Sequence, residues 1–259
     1  MYPNEIIFGY GLYEIMILIG IIACFLVFRF FVTEKVMPVK VYNFYLITAV
    51  SSIILGFFFA SLFQSFFDFL KTGTFKLFKA GMTFYGGLIG GVTAFLLLTF
   101  IVGKIVFKEK EHLTYFPKIT QVAPCCVTIA HGFGRLGCLF AGCCHGKVTS
   151  GFGINMWVDE LQGYYKCVPT QLFEAIFLFV LFGILAIMFL KNIDFELETY
   201  CILYGIWRFV IEYFRADDRG EFIIKFLTPS QGIAIIFVLV GVLLLLLKLL
   251  KIKNKQNNL

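Results

Sequence analysis

VPTQLFEAIFLFVLFGILAIMFL, running from Val168 to Leu190, carries one charged residue, Glu174, in an otherwise apolar run. A helix needs about 20 apolar residues to cross the hydrocarbon of a bilayer, so this stretch is long enough to span one. Pro169 suits the start of a helix, where its missing N–H has no intrahelical role. Glu174 then lies a turn inside the span, and a carboxylate at that depth needs a partner such as an arginine.

Working outward, six further apolar runs have comparable character: Tyr10 to Phe31, Val41 to Phe67, Ala80 to Val102, Ile119 to Phe140, Thr199 to Phe214, and Pro229 to Leu250. The run beginning at Thr199 is short and contains Arg208 and Glu212. The expected fold is all-α, a polytopic membrane protein with about seven transmembrane helices. Composition agrees. The chain is 60% hydrophobic and 15% charged, with 34 phenylalanines, too little polar surface to cover a soluble globule. The first run lacks a basic n-region and a small-residue cleavage site, so it is expected as a retained helix. Residues 1–259 are expected to form a single transmembrane domain, without a soluble domain, a repeat or a low-complexity tract.

Basic residues orient the spans. With the N-terminus outside, the inside segments hold 12 Lys and Arg and the outside segments 8, leaving Arg135 and Arg208 within spans. The positive-inside rule therefore favours an external N-terminus and a cytoplasmic C-terminus. The basic tail from Lys248 also suits an anionic leaflet. A net charge of +6 without a basic stripe interleaved with aromatics points to lipid surfaces and away from nucleic acid.

Two polar clusters fall at membrane depth. In His131-Gly-Phe-Gly-Arg135-Leu-Gly-Cys138-Leu-Phe-Ala-Gly142-Cys143-Cys144-His145-Gly146, a helix would place His131, Arg135, Cys138 and Gly142 on one face. Glycines here suit helix packing, and Arg135 could snorkel to the interface; an arginine flanked by glycines near a span's end equally suits an anion site. In the second cluster Tyr204, Arg208, Glu212 and Arg215 share a face. Arg208 and Glu212 can neutralise each other as an i,i+4 pair, yet the run retains one net positive charge, and guanidinium matches phosphate oxygens in a fork geometry. A lipid headgroup phosphate is the natural ligand. A third segment, Gly81-Met-Thr-Phe-Tyr85-Gly-Gly-Leu-Ile-Gly-Gly91, is glycine-rich as close helix packing requires, with Tyr85 near the interface. Thr228-Pro229-Ser230-Gln231 matches a capping box.

There are eight cysteines. Cys24 and Cys201 sit in apolar runs, as small core residues do. Cys138, Cys143, Cys144 and His145 have a metal-like composition, but their C-x4-C-C-H spacing is not a usual zinc pattern. Packing or free thiols, a disulfide involving Cys167 and a metal site are the alternatives, in that order.

Taken in order, Tyr10-Gly-Leu, Met82-Thr-Phe-Tyr-Gly-Gly-Leu-Ile-Gly90, Gly134-Arg-Leu-Gly137, Pro169-x-Gln171-Leu-Phe-Glu174 and Tyr204-Gly-x-x-Arg208-Phe-x-x-Glu212-x-x-Arg215 resemble the prolipoprotein diacylglyceryl transferase family over nearly the whole chain. The resemblance implies seven helices, an external N-terminus and a place in the cytoplasmic membrane. It implies transfer of diacylglyceryl from phosphatidylglycerol to the thiol of a lipobox cysteine in a preprolipoprotein, with release of glycerol phosphate and no metal or other cofactor. By match to the family, Arg135 and Arg208 would hold the phosphate, Tyr10 would contact substrate, and Glu212, Gln171 and Glu174 would organise the arginines. The candidate catalytic residues are Arg135, Arg208, Tyr85, Glu212, Cys138 and Cys143. The candidate substrate-binding residues are Tyr10, His131, Gly146, Gln171, Glu174 and Arg215.

The chain departs from the family signature G-R-x-G-N-F-x-N-G-E. Cys138 and Ala141 stand for the two asparagines and Cys143 for the glutamate, while Tyr85 replaces a histidine. The second span, around Gly56 to Phe59, lacks the arginine usual there. These changes keep two alternatives open: a different acceptor with a Cys/His redox or metal site, or a non-catalytic lipid-binding or transport protein.

Overall fold

A computed structural model of the chain describes residues 11–32, 37–75, 77–78, 83–158, 161, 163–216 and 227–257. A helical segment lies within every stretch read above as a span. The helices are α1 (Leu12–Phe31), α2 (Val39–Thr72), α3 (Phe84–Leu97), α4 (Gly103–Val106), α5 (Glu111–Ala141), α6 (Thr170–Leu190), α7 (Glu196–Ile211) and α8 (Pro229–Asn257). A π-helical turn, Leu98–Val102, carries α3 into α4 without a break in the helical run. Among the described residues six helical runs are long and apolar enough to cross a membrane. The 16-residue α7, with Arg208 in its last turn, falls short of that length. The chain is thus a polytopic α-helical membrane protein.

Its outer faces fit lipid. Leu18, Ile22, Leu26 and Phe30 are exposed at four-residue spacing along α1, and Leu239, Leu243, Leu246 and Leu250 are exposed on α8. Side chains so placed would form apolar stripes too long for a water-facing surface.

The described residues pack as two compact units, one within 32–117 and one within 1–31 and 118–259. In the first, small residues let α2 and α3 approach closely. A Cβ on Gly86 would stand 2.8 Å from the Phe59 carbonyl oxygen, and one on Gly90 would meet the Phe59 side chain. That is the small-xxx-small packing of membrane helices, and it accounts for the glycine-rich start of α3. Gly205 plays the same part between α7 and α8, where an added Cβ would lie 2.9 Å from the Ala234 carbonyl oxygen.

The start of α8 is a capping box. The Thr228 N–H donates to Gln231 Oε1 at 3.0 Å and the Gln231 N–H to Thr228 Oγ1 at 3.2 Å. Thr228 Oγ1 also donates to Glu212 Oε1 at 3.0 Å, which ties the α8 cap to the end of α7. Thr228→Ala is therefore expected to lower stability by about 1–2 kcal/mol, the upper end of the usual capping range, and Thr228→Ser to restore most of it. Thermal unfolding in detergent would check this; an unchanged midpoint for the alanine variant would count against the cap.

One element departs from the all-helical expectation. Between α5 and α6 the chain forms an antiparallel hairpin, β1 (Ile154–Val158) and β2 (Gly163–Cys167), paired from Ile154 with Cys167 to Val158 with Gly163. The fold is therefore all-α only in its spanning part. Met156, Val158 and Cys167 turn inward against Leu139 and Ile154, while Trp157 and Tyr164 meet edge to face on the exposed side. Alternation of this kind is the strand signal, but five residues per strand are easily lost beside helices of 20 or more.

Candidate active site

Among the described residues, every charged group of the site comes from α5, α6, α7 or the turn after α7. Helix α5 stays helical to Ala141, so His131, Arg135 and Cys138 share a face as expected. Helix α6 brings Gln171 and Glu174, both buried, on one turn. Helix α7 brings Tyr204 and Arg208, and the 3-10 turn Glu212–Phe214 delivers Glu212 and then Arg215.

These groups meet as a chain of alternating charge. Glu174, with its side chain 0% exposed, has Arg135 Nε 3.0 Å and Arg215 Nη1 3.8 Å from Oε2. On its other oxygen it accepts from the Tyr204 hydroxyl at 3.3 Å and faces His131 Nε2 at 3.9 Å. Glu212 pairs with Arg208 Nη2 at 2.8 Å and lies 3.9 Å from Arg215 Nε. Arg208 Nη2 also donates to Ser230 Oγ at 3.0 Å. The partner expected for Glu174 is thus found, and it is two arginines rather than one.

The balance of charge is uneven. Among the described residues three guanidiniums surround two carboxylates. Arg208 Nη1 is buried with no hydrogen-bond partner among the described residues. A guanidinium held at this depth by one carboxylate, with a donor left over, is suited to an anion.

A turn closes the site on one side. The Gln171 amide donates to the Cys143 carbonyl at 2.6 Å and the Thr170 hydroxyl to the Cys144 carbonyl at 3.0 Å. Gly146 donates its N–H to the Val168 carbonyl at 2.8 Å and bridges to Arg215. A Cβ at Gly146 would sit 2.5 Å from the Phe214 carbonyl oxygen, so close backbone packing alone demands glycine there. Hydrogen bonds from the Cys138 and Cys143 thiols hold the Cys144 thiol below the usual thiol range against the effect of burial, and Arg215 and Arg135 add to this. All eight cysteines are free, so the disulfide weighed for Cys167 is not formed; Cys167 is buried on the inner side of the hairpin.

The structure thus gathers His131, Arg135, Glu174, Arg208, Glu212 and Arg215 into one network, with Cys138, Cys143, Gly146 and Gln171 along its edge. Tyr85 lies in the first turn of α3, in the unit formed by 32–117, and Tyr10 lies outside the described residues. Sequence reasoning missed Thr170 and Ser230, because a helix-start hydroxyl reads as a cap, and it left Thr228 as a cap only. The one available signal was their place beside Gln171 and Gln231 at two helix starts.

A polytopic helical membrane protein with a buried, arginine-rich charge network is the class that this fold and site define. The chain belongs to the prolipoprotein diacylglyceryl transferase family, whose model matches residues 6–247. It is similar to phosphatidylglycerol–prolipoprotein diacylglyceryl transferase 2 of Clostridium perfringens, 35% identical over 176 residues that cover 66% of this chain and 63% of that protein. The corresponding transferase of Clostridium tetani is 29% identical over 62% of each chain. That of Francisella tularensis subsp. tularensis is 35% identical over 71% of this chain and 66% of its own length. The chain spans a little under two thirds of the length of these relatives.

Proposed function

We propose that this protein is a phosphatidylglycerol-dependent diacylglyceryl transferase that acts on a cysteine thiol of a prolipoprotein. The single observation that carries the reading is the buried Arg208, which is paired with Glu212 yet, among the described residues, keeps an Nη1 without a hydrogen-bond partner and belongs to a network where guanidiniums outnumber carboxylates. Phosphatidylglycerol offers the matching group, a phosphodiester held at the edge of the hydrocarbon. Arg208 and Arg135 would bind its oxygens, with Glu212, Glu174 and Gln171 fixing the guanidiniums and the adjoining turn, and Arg215 and His131 completing the pocket. Tyr10 and Tyr85 are proposed to contact the substrates, and Gly146 to line their path.

Group transfer then needs a thiolate, since the thiolate and not the thiol is the nucleophile. The acceptor sulfur attacks the diacylglyceryl carbon that bears the phosphate oxygen; the S–C bond forms, the C–O bond breaks, and glycerol phosphate leaves with the electron pair. Arginines placed beforehand at the phosphate offset the charge that develops on that leaving group. Seven spans, an external N-terminus and a place in the cytoplasmic membrane complete the proposal. The distribution of basic residues supports that orientation.

The test is reconstitution into phosphatidylglycerol vesicles with a synthetic lipobox peptide. Glycerol phosphate should appear in step with a diacylglyceryl mass gain on the peptide cysteine. Phospholipid turnover that leaves the peptide unmodified would point to another acceptor. Lipid binding without any turnover would identify a lipid-binding protein and overturn the transferase reading.

A further inference from the structure

Three thiols converge at the C-terminal end of α5. The Sγ atoms of Cys138, Cys143 and Cys144 all lie within 4.8 Å of one another. Cys138 is on the helix; the other two come back to it because the chain reverses just beyond. Gly142 ends the helix at φ 75° and Cys144 itself takes φ 61°. For an L-residue other than glycine this left-handed conformation costs about 1–2 kcal/mol, and it persists where the surroundings enforce it.

The surroundings do so from α6. Gln171 and Thr170 clamp the carbonyls of Cys143 and Cys144, and Gln171 is wholly buried. Hydrogen bonds of this kind, one layer behind the donor atoms, are what orient the ligands in metal sites. Cys143 is exposed, which gives a route in from solvent.

We propose that Cys138, Cys143 and Cys144 form a three-thiolate site for a thiophilic divalent cation of the zinc class. In a tetrahedral site with Zn–S near 2.3 Å the sulfurs stand about 3.8 Å apart, so the trio needs to close by only about 1 Å. No fourth His, Cys, Asp or Glu donor joins the three among the described residues. The site therefore keeps one position open to water or a small ligand, the pattern of reactive rather than purely structural zinc. Three thiolates on a dication carry one net negative charge, and Arg135, three residues before Cys138 on the same face of α5, brings a positive charge to that side of the site. The C-x4-C-C-H spacing looks unlike a zinc motif only because the left-handed turn, not the spacing, brings the donors together. This site goes beyond the transferase reading, which requires no metal.

Metal content and cobalt spectroscopy on the full chain, purified in detergent under reducing conditions, test it. After loading with zinc and dialysis, the protein should retain about one zinc ion per chain, and Cys143→Ser/Cys144→Ser should retain about tenfold less, with Cys201→Ala unchanged. Cobalt added to the intact protein should give a thiolate-to-metal charge-transfer band, a readout that needs no variant to fold. Absence of that band in the intact protein, or zinc retention undiminished in the double variant, overturns the proposal.

Discussion

Arg208→Ala is expected to cut phospholipid turnover by about thirtyfold or more, while Lys147→Ala changes it by less than about twofold. Truncating one member of a buried, hydrogen-bonded charge pair typically costs about 2–5 kcal/mol, and each 1.4 kcal/mol is a factor of about ten. Arg208 is such a group: its side chain is 10% exposed, and its guanidinium is salt-bridged to Glu212 at 2.8 Å and hydrogen-bonded to Ser230. Lys147 is exposed on the turn before the hairpin, and exposed charges contribute little. Arg208→Lys should recover only part of the loss, because an ammonium lacks the fork that engages two phosphate oxygens. The rates are read as glycerol phosphate released from vesicles. Equal losses for Arg208→Ala and Lys147→Ala would sink the assignment of Arg208 to the phosphate.

Glu174→Ala is expected to cause the largest loss of stability of any single substitution in the network, about 3–5 kcal/mol. Glu174 is fully buried and faces Arg135 and Arg215 together, so its removal leaves two guanidiniums without that carboxylate at membrane depth. Breaking a buried pair from one side is destabilising on this scale because the remaining charge keeps its desolvation penalty. Glu174→Gln should fall between the alanine variant and the parent, keeping volume and an acceptor for Tyr204 but losing the charge. Thermal unfolding in lipid-supplemented detergent decides it. A Glu174→Ala protein as stable as the parent would mean that the arginines are neutralised elsewhere and that Glu174 is not the centre of the network.

Why Glu174 could be singled out from one strand of letters, and its partners could not, follows from the range of the forces involved. A carboxylate in a run of Phe, Leu and Ile is conspicuous because the cost of desolvating it is a local property of the span. Which arginines answer it depends on how α5, α6 and the turn after α7 pack, and they lie far apart in the chain. Arg208 and Glu212 were legible as a pair because four residues are one helical turn. The third member, Arg215, joins both carboxylates only through the 3-10 turn that redirects the backbone after Ile211.

Hydropathy by itself determined that this protein is helical, that it belongs in a membrane, and where its long apolar helices run, since each such stretch must bury itself in lipid whatever its neighbours do. Its motifs, taken in order, determined the family. Tertiary structure alone decided three things. It showed that Tyr204, Arg135, Arg208, Arg215 and two glutamates are one network. It paired residues 154–158 with 163–167 in a hairpin whose inner side carries Cys167. It also set three thiols, one of them five residues before an adjacent pair, within reach of one another. Each of these rests on a change of chain direction, at Gly142, between β1 and β2, or beyond Ile211. The turn at Gly142 is held by hydrogen bonds from α6, and the turn beyond Ile211 by ion pairing to α6 and a hydrogen bond from the α8 cap, which no local window of sequence contains.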